Sequence, residues 1–505
     1  MFWDNNPIKS RQLDFLILAK RTTPKNHCII NPLQETKSTV RWFAKIALPM
    51  TLLEQLATFV AHSGAPSQRL REYLELHVAD IVGAWIASHS TREGAALLRW
   101  RMASGEGAAP QSMHRLRLDV ATHCALARLS EIDDIHLAST TTPGAIVVPG
   151  AVTIAAACQN RDPDALAAAV IAGYEVMVRF GQAIDGPSIL YRGIWPTYFA
   201  TPLGIAAVAA RLLDLDARQC AHALALALVR SAPGVGRHNA ATTSRWLAVG
   251  QAAEAGLTAA LAARAGFTSD LALLDSGYLP GLFQMNSNLG VLTEGLGKRF
   301  RLGEVAFKPW CAARQTMAAT QALIEVIRTG VAADTITRVT AFVLPPHHRM
   351  IDRGVTVGDR ASFLTSLPYR MALAALAPDA AWDVRQAPAS VPDNIHTFMD
   401  RIAVAPDEAL ISQFPSRWPA RVEVMTSSGR HERTVTDVPG DPARPFDTEA
   451  VRDKFRRFVL PVIGAEASAQ VLERVFRLLD GETHAAGLLH QIDEIGGVRQ
   501  REVPK

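Results

Sequence analysis

The chain has 505 residues, 49% hydrophobic and 20% charged, with a formal net charge of +4 spread along its length. That is too long for one core and predicts roughly two to four domains, while the dispersed charge excludes the concentrated basic stripe of a nucleic-acid-binding protein. Five cysteines (Cys28, Cys124, Cys158, Cys220 and Cys311) form no CxxC pair, which leaves no zinc or iron–sulfur spacing and reads as the reduced thiols of a cytoplasmic protein.

Residues 1–49 are basic, poor in alanine and broken by Asn6-Pro7, Thr23-Pro24 and Asn31-Pro32. They read as an extension, or as sequence preceding a true start at Met50; the N-terminus shows no signal-peptide pattern. From Leu52 to about Gly303 apolar residues recur at helical spacing. Leu118, Ala121, Ala125, Leu129 and Ile132 mark one helix face ending near Asp134. The uncharged stretch 137–160 contains Pro143, Pro149 and a Thr-rich start, so it reads as buried core and not as a membrane span. Asp162-Pro163-Asp164 starts a helix, with Pro in the first turn and acids at the positive dipole end. Asp216 is the expected N-cap of a helix over 217–229, and a helix over 245–265 stops at Gly266.

After Gly303 the character changes. A helix over 314–329 closes at Gly330, residues 338–343 alternate as a half-buried strand does, and a hairpin turns at Ser428-Gly429. Helical spacing returns over 449–459, 466–479 and 482–495. The expected fold is mostly α. An all-helical body is built from both chain ends, 50–303 and 445–505, with an inserted α+β lid domain over 304–444.

Four segments carry chemistry. Glu131-Ile-Asp-Asp-Ile-His136 gathers three acids and a histidine at a helix end, where the dipole disfavours negative charge; it reads as a base or orienting cluster, or as solvated acids past the helix. Tyr191-Arg192-Gly-Ile-Trp195-Pro-Thr197 offers an arginine, an aromatic and a hydroxyl near a helix start, suited to a carboxylate or to an ordinary turn. Arg237-His238 through Ser244-Arg245 is a polar break in apolar surroundings, as at binding sites or surface loops. Phe307-Lys308-Pro309-Trp310 puts a lysine at the junction of the two units, in a cleft or in a linker.

Taken in order, these pieces resemble the MmgE/PrpD family from about Met50 onward. The resemblance is carried by the 131–136 segment, Thr142-Pro-Gly-Ala-Ile-Val-Val-Pro149, Gly173-Tyr-Glu-Val-Met-Val-Arg179, Trp195-Pro-Thr197, Arg245-Trp-Leu-Ala-Val-Gly250, Phe307-Lys-Pro-Trp310 and Ser366-Leu-Pro-Tyr369. It implies a homodimer with its active site between body and lid. It also implies metal- and cofactor-free chemistry on a small di- or tricarboxylic acid: dehydration of 2-methylcitrate, decarboxylation of cis-aconitate, or epimerisation of iminodisuccinate. Asp133, Asp134, Lys308 and Tyr369 match the family pattern. Elsewhere this chain has Thr142, Trp195 and Ala313 (or Met317) where the family has histidine, Ile135 for threonine and Arg245 for lysine.

Arginine holds a carboxylate but does not exchange a proton near neutral pH, and neither threonine nor tryptophan replaces an imidazole base. His136 and His238 are therefore the expected acid/base groups, with Asp133 or Asp134 orienting or abstracting a proton and Lys308 and Tyr369 completing the catalytic set. Arg192, Trp195, Arg237, Arg245 and Thr142 are expected to bind substrate. The expected function is a cofactor-independent, dehydratase-like lyase with no metal, no nucleic-acid partner and no membrane. A binding-only family member is the second reading. Trp195, Ile135 and Trp310 suggest a more apolar or aromatic substrate as a third.

Overall fold

The computed structural model describes residues 49–502 apart from residues 110, 233–240 and 387. The N-terminal body runs through α1 (Leu52–His62), α2 (Gln68–Ser88), α3 (Arg92–Ser104), α4 (Met113–Leu129), α5 (Gly144–Ala157), α6 (Pro163–Ala183), α7 (Gly186–Leu190), α8 (Pro196–Leu212), α9 (Ala217–Val229), α10 (Ser244–Arg264) and α11 (Tyr278–Phe283). Local chemistry sets the ends of these helices. Asp216 caps α9 through the Gln219 amide, and Gln219 reaches back to form a capping box. Asp162 caps α6 with Pro163 in the first turn.

At the centre, α8 packs against α5, α6 and α10, and α10 crosses α4. Helix α5 is buried almost throughout, which explains an uncharged run of Ala, Val and Ile with no polar face. Among the described residues no helix is long and apolar enough to cross a membrane.

The lid has its own core around α12 (Met317–Arg328), which lies on a four-stranded sheet. The strands are β1 (Ile336–Val343), β2 (Ile402–Pro406), β3 (Ala420–Thr426) and β4 (Gly429–Val435), in the order β2-β1-β3-β4. β1 pairs parallel with β2 and antiparallel with β3, and β3–β4 is the expected hairpin. Strand β2 has no counterpart in the sequence reading. It is short, half-buried on both faces and ends in Pro406, so period-two alternation never develops. Short helices α13 (Pro345–Ile351), α14 (Arg360–Thr365), α15 (Leu367–Leu376) and α16 (Asp393–Met399) lie between β1 and β2.

Three C-terminal helices, α17 (Thr448–Ile463), α18 (Ala465–Phe476) and α19 (Ala485–Glu502), return to the body: α17 and α18 lie on α2, and α19 lies on α3 and α5. The fold is mostly α, as expected.

Close helix approach in the body depends on small residues. A Cβ on Gly173 of α6 would stand 2.7 Å from Val208 and 2.8 Å from Val147. Gly173→Ala gains about 1 kcal/mol of helix propensity, but overpacking between two β-branched side chains costs about 1–3 kcal/mol. Urea denaturation is expected to show a net loss.

Candidate active site

Helix α4 ends at Leu129 and not near Asp134, so the acids occupy a loop beyond the helix. Glu131 takes a left-handed conformation (φ 59°), which a non-glycine residue keeps only when its surroundings fix it. They do so from several directions. Arg360 of α14 donates to the Leu129 and Ser130 carbonyls at 2.8 and 3.1 Å, satisfying acceptors left open at the helix end. Lys454 of α17 donates to the Ile132 carbonyl at 2.7 Å and pairs with buried Asp80. Ile135 and Ala306 exchange backbone hydrogen bonds of 2.8 and 2.7 Å, which brings the 306–308 segment alongside.

Lys308, 1% exposed, therefore ends between two acids, 2.8 Å from Asp133 Oδ1 and 3.2 Å from Glu131 Oε2. Arg128, one turn back on α4, reaches Glu131 at 3.0 Å and Asp133 at 3.4 Å. Burial works to raise Glu131, but Arg128 and Lys308 outweigh it and hold the carboxyl at about 2. At Asp133 burial dominates: the carboxyl sits above its ordinary value despite the pull of the same two cations.

This cluster forms one wall of a cleft with an enclosed volume of about 70 Å³. Arg128, Glu131 and Lys308 line it from the body side together with Thr142, Thr197 and Trp195; Arg245 and Trp246 enter from α10, and Ala313 and Arg314 from the lid segment. Thr142 and Thr197 hydroxyls lie 3.2 Å apart, and Thr197 accepts from the Thr142 amide. The Arg245 guanidinium lies over Trp195 at 5.2 Å and Trp246 at 5.9 Å, and Arg128 lies over Trp246 at 5.9 Å. Arg314 is held by Asp441 at 2.6 and 2.8 Å. Among the described residues, Nε of Arg128, Nε1 of Trp195, the Tyr198 hydroxyl and both Nε and Nη1 of Arg314 are buried without a hydrogen-bond partner. Clustered unsatisfied donors are rare inside proteins and mark places where a polar ligand completes the bonding.

Two family models match consecutive parts of the chain: the MmgE/PrpD N-terminal domain over residues 54–289 and the MmgE/PrpD C-terminal domain over 310–478. The chain belongs to the MmgE/PrpD family. No curated protein matches it closely enough to count as a relative.

All the positions at which this MmgE/PrpD chain was expected to depart from its family pattern at Ile135, Thr142, Trp195, Arg245 and Ala313 line this one cleft, beside Lys308. Asp133 stands directly behind Lys308. The other expected residues lie elsewhere. Asp134 accepts from the Gly144 amide at 2.8 Å, the Tyr174 hydroxyl at 2.6 Å and His77 at 3.0 Å, which ties the loop to the start of α5. His136 accepts from the Ser139 amide at Nδ1 (3.1 Å), which leaves Nε2 as donor toward Glu304 at 3.4 Å, outside the cleft. Tyr369 packs on Phe363 in the lid core. Arg192 is exposed and donates to the Phe283 and Gln284 carbonyls. Arg237 and His238 lie outside the described residues. Met317, the alternative to Ala313, is buried in the lid core.

Arg128, Trp246 and Arg314 are cleft residues to which the sequence gave no site role, while Glu131 and Thr197 stood in candidate segments without a role of their own. Arg128 carried a faint signal, standing three positions before Glu131 on a helix face. Among the described residues no three His, Cys, Asp or Glu side chains gather where a metal could sit, and none of those lining the cleft is a histidine.

Because Glu131 is lowered from its ordinary 4.5 to about 2, its stabilisation is present above pH 4.5 and is lost as pH falls through 2. Glu131→Gln is expected to lose about 2–3 kcal/mol at pH 7 and to show a shallower Tm decline between pH 5 and 2 than the parent. Some slope persists, because Glu304 is also held at about 2 by His136 and Arg299 against its burial. Calorimetry across that range checks both.

Proposed function

We propose that the cleft is the active site of a cofactor-independent, dehydratase-like lyase that removes a proton beside a carboxylate of a small di- or tricarboxylic acid. The observation that supports it is the charge of the walls: Arg128, Arg245, Lys308 and Arg314 line one small cleft against a single lining carboxylate, Glu131. Arg245 lies 5.2 Å from the Trp195 ring centre and Arg128 5.9 Å from that of Trp246, and the planar fork of a guanidinium suits carboxylates. Thr142 and Thr197 add hydroxyl donors for a second carboxylate or for the enolate-like oxygen that develops on proton removal.

Proton transfer falls to Lys308, because the arginines hold their protons throughout. Passing one ammonium proton to Asp133, 2.8 Å away, turns two buried charges into a neutral amine and a neutral acid. Burial raises the Asp133 carboxyl above its ordinary value, which makes it the better proton acceptor for that step. The amine then takes the C–H proton. The C–O bond breaks as the double bond forms, and the ammonium proton leaves with hydroxide as water. Epimerisation would share the first carbanion and return a proton to the opposite face, whereas decarboxylation forms its carbanion by loss of CO2 and needs only a proton delivered to it. The same reading expects a cytoplasmic homodimer, which light scattering after size exclusion would measure as twice the chain mass.

Incubation with 2-methylcitrate, citrate, cis-aconitate and iminodisuccinate in deuterated water, followed by NMR, is expected to show turnover or deuterium entering beside a carboxylate. Lys308→Arg keeps the charge but not the exchangeable proton, and is expected to cut that rate by about 100-fold or more with KM little changed. Exchange by Lys308→Arg at the parent rate would remove Lys308 from the role. A folded parent that binds these acids without exchanging any proton would favour the binding-only reading.

A further inference from the structure

A second cavity, of about 550 Å³, opens between the lid core and α17 and is lined by none of the cleft residues named above. Trp310, Trp382, Phe446 and Ile324 give it a largely apolar and aromatic wall, and its charged lining is three arginines, Arg328, Arg370 and Arg457, against one carboxylate, Asp379. Of these, Arg370 of α15 is unusual. It is 2% exposed, yet among the described residues its guanidinium has one polar partner, the Gln386 amide oxygen at 2.8 Å, and no carboxylate. Its Nε is buried without a partner, as is the Trp310 indole N–H in the same wall. Burial pulls Arg370 below the ordinary arginine range.

An uncompensated buried cation costs several kcal/mol in general, so its retention calls for a counter-ion. The surroundings also hold it in place. Gln386 adopts a left-handed conformation (φ 38°) while its amide nitrogen bonds the Ala380 carbonyl at 2.6 Å, which fixes the oxygen that faces Arg370. At the rim, Arg457 lies 4.6 Å over the Trp382 ring while its Nε bonds Asp453 at 2.8 Å, so it closes the aromatic wall rather than adding a free charge.

We infer that this cavity is a binding site for a small aryl carboxylate, its ring between the aromatic walls and its carboxylate against Arg370 and the Trp310 N–H. The aliphatic polyacids suited to the cleft lack a group to fill the apolar walls, so the two sites select different ligands.

Isothermal titration of benzoate, acetate and citrate into the full chain tests this. Benzoate is expected to bind tighter than about 1 mM, and acetate at least tenfold more weakly. Arg370→Met is expected to weaken benzoate by about tenfold or more without lowering Tm, because it removes a buried charge that nothing neutralises. Arg245→Ala, in the other cleft, should leave benzoate binding unchanged. Trp382→Leu, on the half-buried rim, gives an independent check if Arg370→Met fails to fold, and should weaken benzoate severalfold. Absence of benzoate binding, loss of it in Arg245→Ala, or unchanged affinity in Arg370→Met or Trp382→Leu would each overturn the proposal.

Discussion

The arrangement rests on the neutralisation of one short loop. Residues 130–136 follow the end of α4 with open carbonyls and three carboxylates, in a body whose core is largely alanine, valine and leucine. Left alone, such a loop could not be buried. Four cations from separate parts of the chain meet it: Arg128 and Lys308 on its carboxylates, Arg360 and Lys454 on its carbonyls. One comes from the lid, one from the body–lid junction and one from the C-terminal helices. The charge balance of the loop is therefore also the bond that joins the three stretches of chain.

That balance shapes the cleft. The two acids share the same two cations, Arg128 and Lys308, and Arg128 and Arg314 still keep buried donors without a partner. The two acids are not equivalent. Glu131 contacts both cations and is held strongly acidic, while Asp133, fully buried and with one oxygen lacking a hydrogen bond, is pushed the other way. Two carboxylates whose surroundings drive them apart are an arrangement suited to a division between charge holding and proton transfer.

Much of the fold was legible because it is written locally. Asp216 and Asp162 announce helix starts through hydrogen bonds within three residues of themselves, and Ser428-Gly429 announces a hairpin through turn chemistry. The cleft was legible in part: Lys308, Arg245, Trp195 and Thr142 came from the family pattern and do share one wall-to-wall space. What failed was partner assignment. Asp134 and His136 sit in the same six-residue run as Asp133, yet a left-handed turn at Glu131 and the 135–306 bridge send them to different neighbours. Their partners, His77, Tyr174 and Glu304, lie 40 to 168 positions away, and no local pattern encodes those meetings. Arg128 and Arg314 were missed for the same reason, since an arginine inside a helical pattern looks solvated until its acid is placed beside it.

The segment that carries Lys308 is pinned on both sides. Ala306 bonds Ile135, the Phe307 amide bonds the Gly440 carbonyl at 2.9 Å, and the Cys311 amide bonds the Ala381 carbonyl at 3.2 Å. A Cβ at Gly440, where φ is 96°, would run into the Phe307 backbone, so that contact needs glycine. Lys308 is thus fixed by the backbone before any ligand arrives, and its ammonium is fixed by two acids. A side chain held this way needs little reorganisation when the reaction begins, which is the condition under which a preorganised group favours a transition state over water. Thr142, Trp195 and Ala313 stand in the cleft wall, and among the described residues no histidine lines it, so Lys308 is the lining cation able to exchange a proton. Under the proposed function, that arrangement matches carbanion or enolate stabilisation with one proton exchanged at one position, rather than proton traffic among several bases.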